Sequence, residues 1–394
     1  MEITYSNRIN SLATYPFAIL ERKVKELRAE GVRVIDLGVG SPTAETPAIV
    51  RDAIKKSVDT RKNEGYPTYE GMPEFRKACA EWAGRRFGVE LDPKTEVTSC
   101  LGTKEALFHF PEAFLNPGDL AIVPSPGYSP CVRGALFAEG RVHLAPLLPE
   151  RGFLPDLSAI PADVARQAKF MWINYPNNPT AASAPAGFYE EIVEFGRKND
   201  IIICSDEAYG DIYFDEGDRP GSILEVAKEG VIATFSLSKR SAMANYRVGF
   251  VAGDERVITG LRKVKTNTDS GMPTFIQDAA IAAYGDESHV AVMRDEYRAK
   301  RDVLQEGLKS AGLPECCPDA TFYIWQKIPE GYASVEFAQK LLSPDIGVVA
   351  MPGEWLGDEL EGGLNTGQGY VRLALVAPAE DIREAAGRIA GLKL

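Results

Sequence analysis

The segment Ser236-Leu-Ser-Lys239-Arg-Ser-Ala-Met-Ala244, followed by Asn245-Tyr-Arg247-Val-Gly249, closes an apolar run with one amine, several hydroxyls and a guanidinium. A lysine amine attacks carbonyl groups once it is neutral, and hydroxyls with a guanidinium suit a phosphate. An amine able to form a Schiff base beside a phosphate clamp is what pyridoxal 5'-phosphate (PLP) chemistry requires. An unperturbed lysine has a pKa of about 10.4 and is a poor nucleophile at neutral pH. Burial and a neighbouring cation such as Arg247 would lower that value.

Other residues match this chemistry. Asp206 follows the apolar Ile201–Ile203, so its carboxylate should be buried and in need of a cation. A protonated pyridine nitrogen would supply one and keep the ring an electron sink. Tyr209 and Asn178 can each donate to a phenolate oxygen. Gly102-Thr103-Lys104 opens a helical pattern, where free N–H groups and the helix dipole favour phosphate. Tyr128, in Pro126-Gly127-Tyr128, could stack on an aromatic ring. Arg372 interrupts the apolar Tyr370-Val-Arg-Leu-Ala-Leu375, and its planar fork fits a substrate carboxylate. Each has a plainer alternative: a surface lysine, a helix-capping aspartate, a turn asparagine or an internally paired arginine.

Parallel strands could bring these residues together. The apolar runs Val97–Cys100, Leu120–Val123, Phe170–Asn174, Ile201–Cys204 and Val231–Phe235 each end on one of these polar groups, and Arg247–Ala252 is a sixth run. Helical patterns such as Phe188/Ile192/Phe195 lie between them. Strands alternating with helices define an α/β fold with a mostly parallel sheet, and ligands of such sheets sit at the carboxyl ends of the strands. Beyond about residue 280 the texture changes. A charged helical stretch, 290–310, precedes candidate strands Phe322–Gln326, Gly347–Met351 and Tyr370–Val376. The expected organisation is a large domain over 46–280 and a smaller α+β domain from 1–45 and 281–394. An amphipathic helix is expected over 17–30.

The chain has 394 residues and a net charge of −12, which disfavours nucleic acid and anionic membranes as partners. No apolar run approaches a membrane span. Six scattered cysteines and no basic-plus-apolar leader at Met1–Ser11 point to a reduced cytoplasm. Three histidines without ligand spacing argue against a metal, and the acidic stretch Asp211–Asp218 reads as a solvated loop. Gly38-Val-Gly40-Ser-Pro-Thr lacks the third glycine of a dinucleotide fingerprint.

From Asp36-Leu-Gly38-Val-Gly40-Ser-Pro to Arg372, the chain resembles class I/II PLP-dependent aminotransferases of fold type I. The resemblance implies that Lys239 binds the cofactor aldehyde, Asp206 pairs with the pyridine nitrogen, and Tyr209 and Asn178 share the phenolic oxygen. It assigns the phosphate to Gly102, Thr103, Lys104, Ser236, Ser238 and Arg247. Tyr66, in Tyr66-Pro-Thr-Tyr-Glu-Gly71, matches a tyrosine that reaches the neighbouring subunit's phosphate, which implies a homodimer with shared active sites. Arg372 matches the α-carboxylate arginine, with Gly40 and Asn178 beside the substrate. Two positions depart from the pattern. Ala181 and Asn245 stand where glycine is usual. Asparagine tolerates left-handed backbone, so the Asn245 loop is expected to keep its shape.

Several segments are similar to the diaminopimelate branch of lysine biosynthesis, among them Met171-Trp-Ile-Asn-Tyr-Pro-Asn-Asn-Pro-Thr180 and Gly369-Tyr-Val-Arg-Leu-Ala-Leu375. Some resemble LL-diaminopimelate aminotransferases and others N-succinyldiaminopimelate aminotransferases. The former group places Tyr15 and Lys104 at the far end of the substrate. The resemblance implies transfer between glutamate/2-oxoglutarate and tetrahydrodipicolinate/LL-diaminopimelate or N-succinyl-2-amino-6-oxopimelate. An aminotransferase of another amino acid, a PLP lyase and a PLP-binding regulator are the alternatives.

Overall fold

The computed structural model describes residues 1, 3–10, 17–316 and 318–393. Its centre is a seven-stranded sheet in the order Val97–Cys100, Gly249–Gly253, Val231–Ser236, Ile202–Asp206, Ala168–Asn174, Leu120–Ser125, Arg141–Pro146. Gly249–Gly253 runs antiparallel to the other six strands, which share one direction. The fold class expected from the alternating pattern is therefore the one observed. The inner strands Leu120–Ser125 and Val231–Ser236 are buried along their whole length, with helices covering both faces. Consecutive residues serve opposite layers. Met171 and Ile173 join a core with Phe75, Trp82, Ile192 and Tyr284, whereas Phe170 and Trp172 join Leu107, Phe110 and Leu261 on the other face. The outer strand Arg141–Pro146 is half-exposed and lacks a continuous apolar run, which is why the sequence pattern does not reveal it.

In the C-terminal part, Met351–Pro352, Tyr370–Ala374 and Tyr323–Lys327 form a three-stranded antiparallel sheet. Its core includes Leu304, Phe337, Val371 and Ile382. The anticipated strand over Gly347–Met351 is split. Val348–Val349 pairs in parallel with Ile35–Asp36, while Met351–Pro352 joins the other sheet. The helix anticipated over 17–30 spans Phe17–Ala29, and Leu20 and Leu27 pack with Leu342 and Val349. The acidic stretch is the exposed loop that its composition suggests over 215–218, but not over 211–214. Asp211 is buried between Arg86 and Arg240, at 3.1 and 2.6 Å, so its charge is paired, and Tyr213 and Phe214 are buried beside it. Among the described residues, no helix is long and apolar enough to cross a membrane.

Candidate active site

The carboxyl ends of four central strands open into a cavity of about 480 Å³, closed on its far side by residues of the C-terminal part. It contains Lys239, Asp206, Tyr209, Asn178, Thr103, Lys104, Tyr128, Ser236, Ser238, Arg247, Gly40 and Arg372. Twelve residues chosen for their chemistry thus meet in one place.

Lys239 lies on a single helical turn, Leu237–Arg240, that follows strand Val231–Ser236. The Ser236 hydroxyl caps this turn, accepting from the Ser238 N–H at 3.1 Å. Lys239 Nζ donates to the Gly40 carbonyl at 2.9 Å. Burial, together with the charges of Arg372 and Arg247, pushes the Lys239 amine down to about 8, although Asp206 opposes this. At pH 7 about one such amine in ten is neutral, against fewer than one in a thousand for an ordinary lysine. A side chain at Gly40 would collide with the Tyr323 phenol, its Cβ falling 2.0 Å from the hydroxyl. Glycine is what lets this carbonyl reach the amine.

Asp206 ends strand Ile202–Asp206 and is 3% exposed. It accepts from Thr234 Oγ1 at 2.9 Å and, more loosely, from the Ala208 N–H at 3.4 Å. Burial outweighs these bonds and pushes its carboxyl up to about 6. A buried carboxylate held by one hydroxyl and one long amide bond is a site prepared for a cation. A protonated ring nitrogen suits it.

The end of the cavity that suits a phosphate is built from backbone as well as side chains. Gly102, at φ +72°, precedes helix Thr103–Phe114 and offers no side-chain cap, so the first N–H groups face the cavity end of the helix. A Cβ at Gly102 would fall 2.4 Å from Arg247 Nη2. Arg247 adopts the left-handed region at φ +53° and donates to the Ala244 and Leu101 carbonyls at 2.7 and 3.1 Å. This corrects the expectation for Asn245. That residue lies in a 3-10 turn, Ala244–Tyr246, and the left-handed residues flanking the turn are Ala242 and Arg247. Ala181, by contrast, does adopt the glycine-like conformation, at φ +60°.

Arg372 is buried, with Nη1 donating to Asn178 Oδ1 at 2.7 Å and Nη2 to the Gly38 carbonyl at 2.9 Å. Its guanidinium lies 4.3 Å over the Tyr323 ring, and its Nε is buried without a hydrogen-bond partner. A guanidinium lining a cavity is suited to an incoming carboxylate. Asn178 is itself set by Asn174, whose Oδ1 accepts from the Asn178 N–H at 2.8 Å while its Nδ2 donates to the Asp206 carbonyl at 2.7 Å.

Tyr323 carries no chemical signal in the sequence alone. It hydrogen-bonds the Tyr209 hydroxyl at 3.1 Å and supports Arg372. Strand register gives the signal that could have found it. Trp325 pairs with Arg372, so Tyr323 lies diagonal to Arg372 on the same face. Tyr66 is not brought to the cavity and is 91% exposed. Tyr15 lies outside the described residues.

The donor set fits PLP: an amine of lowered pKa, an acid awaiting a cation, and a helix start beside a guanidinium. Comparison with known proteins agrees. The model of the family "Aminotransferase class I and II" matches residues 32–389. The LL-diaminopimelate aminotransferase of Aquifex aeolicus is 45% identical over 393 residues, covering 99% of both chains. Among solved structures, substrate-bound BacF from Bacillus subtilis superposes with a TM-score of 0.92 at 35% identity, covering 100% of this chain and 99% of that one. A probable N-succinyldiaminopimelate aminotransferase from Thermus thermophilus does so at 0.86 and 32%, covering 95% and 99%. The chain belongs to the class I and II aminotransferases. It is a PLP-dependent transaminase of fold type I, acting on amino and 2-oxo acids.

Proposed function

We propose that this enzyme transfers an amino group between glutamate/2-oxoglutarate and LL-diaminopimelate in lysine biosynthesis. The observation that carries this reading is the full-length 45% identity to a relative named for that substrate. The structural likeness to a probable N-succinyldiaminopimelate enzyme keeps the succinylated substrate as the second reading.

PLP, when bound, supplies an electron-withdrawing ring that delocalises negative charge from the substrate α-carbon. In our account Asp206 holds a proton on the ring nitrogen, and Tyr209 with Asn178 donates to the phenolic oxygen. The Thr103 and Lys104 amides, the Ser236 and Ser238 hydroxyls, Arg247 and the Gly102 turn would hold the phosphate, and Tyr128 would stack on the ring. Arg372 orients the substrate through its α-carboxylate. Lys239 Nζ, in its neutral form, would take the proton from the substrate α-carbon and, as the ammonium, hold it for return to carbon. The depressed pKa of about 8 favours that exchange at neutral pH.

Tyr66 serves a neighbouring subunit in this account, so the working unit is a homodimer with shared sites. Its exposure of 91% is what a residue reserved for a partner would show. Residues 46–280 form the cofactor-binding domain, and 1–45 with 281–394 form the smaller one. A cytoplasmic location accords with free Cys79, Cys100, Cys131 and Cys204. The test is amino transfer by the PLP-loaded enzyme from glutamate, LL-diaminopimelate and N-succinyl-LL-diaminopimelate, each alone. Turnover of glutamate with neither diaminopimelate compound would remove the pathway and leave the transaminase.

A further inference from the structure

Lys239 stands on one turn of helix, Leu237–Arg240, which the Ser241 N–H closes by donating to the Leu237 carbonyl at 3.2 Å. So short a helix has little stability of its own, and the position of the amine depends on what holds the turn from outside. The Ser236 hydroxyl caps its start, and Leu237 is fully buried in the core. Arg240 holds its end. Lys239 lines the cavity, whereas Arg240 runs into the protein and is 3% exposed. Its Nε lies 2.6 Å from Asp211 Oδ2, Nη2 donates to both carboxylate oxygens of Glu287 at 2.6 Å, and Nη1 donates to the Ala283 carbonyl at 3.3 Å. The rings of Trp82 and Tyr284 each lie 5.4 Å from its central carbon.

Asp211 sits just beyond Asp206 and Tyr209, on the loop that leaves strand Ile202–Asp206. Arg86 fixes the same loop, donating to Asp211 Oδ1 at 3.1 Å and to the Gly210 carbonyl at 3.0 Å. Burial alone would raise the Asp211 carboxyl, but Arg240 and Arg86 hold it below its usual value, so the acid stays charged. A buried ion pair is by itself weak evidence of a stabilising role, because an apolar side chain of similar volume often serves the fold as well. Without Arg240, Asp211 would keep Arg86, and Glu287, whose side chain is 53% exposed, would keep water and the Trp82 Nε1 donor at 3.1 Å. An apolar residue would not fix a distance, however. The planar fork of arginine reaches two acids on separate segments at once and so sets the turn against both.

We infer that Arg240 is a positioning residue for the reaction: through Asp211 and Glu287 it fixes the turn bearing Lys239 against the loop bearing Asp206 and Tyr209. The guanidinium lies outside the cavity and acts through the backbone that it anchors. The inference rests on Lys239 being the reactive amine and is independent of which amino acid is the substrate.

The test is the pH dependence of PLP capture by the ligand-free protein, followed by absorbance, in wild type, Arg240→Met and Arg240→Lys. Wild type should inflect near the Lys239 value of about 8, which burial, Arg372 and Arg247 set against Asp206. Arg240 is not among these charges, so its removal acts on the amine through geometry. A turn that loosens lets water reach Lys239, and the inflection should rise by about one pH unit or more in Arg240→Met. Arg240→Lys keeps a charge for Asp211 but cannot span both acids, and its inflection should rise by about half a unit. In the PLP-loaded enzyme, kcat should fall about tenfold in Arg240→Met while KM for glutamate, set by Arg372, stays within about threefold of wild type. An inflection within about 0.2 unit of wild type in Arg240→Met would overturn the positioning role whatever the change in stability; were that variant not to fold, the same result in Arg240→Lys would overturn it. Capture of PLP by Lys239→Ala with wild-type kinetics would overturn the premise instead, by showing that Lys239 is not the reactive amine.

Discussion

Asp206→Asn should separate what the buried acid costs the fold from what it gives the cofactor. In the ligand-free protein, burial raises the Asp206 carboxyl from an ordinary value of 3.8 to about 6. For an acid, a folded pKa above the unfolded one means that the ionised form is disfavoured in the fold. The penalty is absent below about pH 4, grows through the window from about 4 to 6, and is complete above it. Two pKa units correspond to about 3 kcal/mol. Asparagine removes that penalty and can still accept from Thr234 Oγ1, but its own N–H₂ would be buried with no assigned acceptor, a cost of about 1–3 kcal/mol. The absolute change at pH 7 is therefore small, whereas its pH dependence is not. Urea unfolding of the ligand-free proteins at pH 4, 5, 6 and 7 should show the variant gaining about 3 kcal/mol on wild type across the series. In the PLP-loaded enzyme the same change removes the counter-charge of the ring nitrogen. Breaking a buried pair costs about 3–5 kcal/mol, so turnover should fall by a factor on the order of 10² to 10⁴. A stability difference that is flat with pH, or a variant that retains near wild-type turnover, would refute the argument.

Other perturbations address other parts of the site. Capture of PLP by the ligand-free protein requires neutral Lys239, so its rate should rise about tenfold per pH unit up to about pH 8 and then level off. Stopped-flow absorbance would show this, and a rise continuing to pH 10 would indicate an ordinary amine. Gly102→Ala places a Cβ 2.4 Å from Arg247 Nη2 at a φ of +72°. It should weaken PLP binding at least tenfold in an equilibrium titration. Arg372→Lys keeps the charge but loses the planar fork, and KM for amino acids should rise about 10- to 100-fold in steady-state assays. Tyr66→Phe, at an exposed position, should leave thermal stability within about 0.5 kcal/mol of wild type yet weaken PLP binding in the assembled enzyme.

The strand ends were legible because a parallel sheet buried on both faces writes itself as apolar runs, and its ligands must meet beyond them. Lys239, Asp206 and Asn178 were found this way. Tyr323 was not, because a tyrosine in an apolar strand reads as core until the Trp325–Arg372 register is known. Asp211 was misread because its partners, Arg86 and Arg240, lie far away in sequence. The resemblance points to left-handed backbone at Asn245, where glycine is usual, whereas the loop takes its bends at Ala242 and Arg247.

The most direct test follows the cofactor absorbance of the PLP-loaded protein while LL-diaminopimelate is added, then 2-oxoglutarate. The account predicts loss of the cofactor band with stoichiometric keto product, recovery of the band on adding 2-oxoglutarate, and no response in Lys239→Ala. An unchanged band with both LL-diaminopimelate and glutamate, or an unimpaired response in Lys239→Ala, would contradict it.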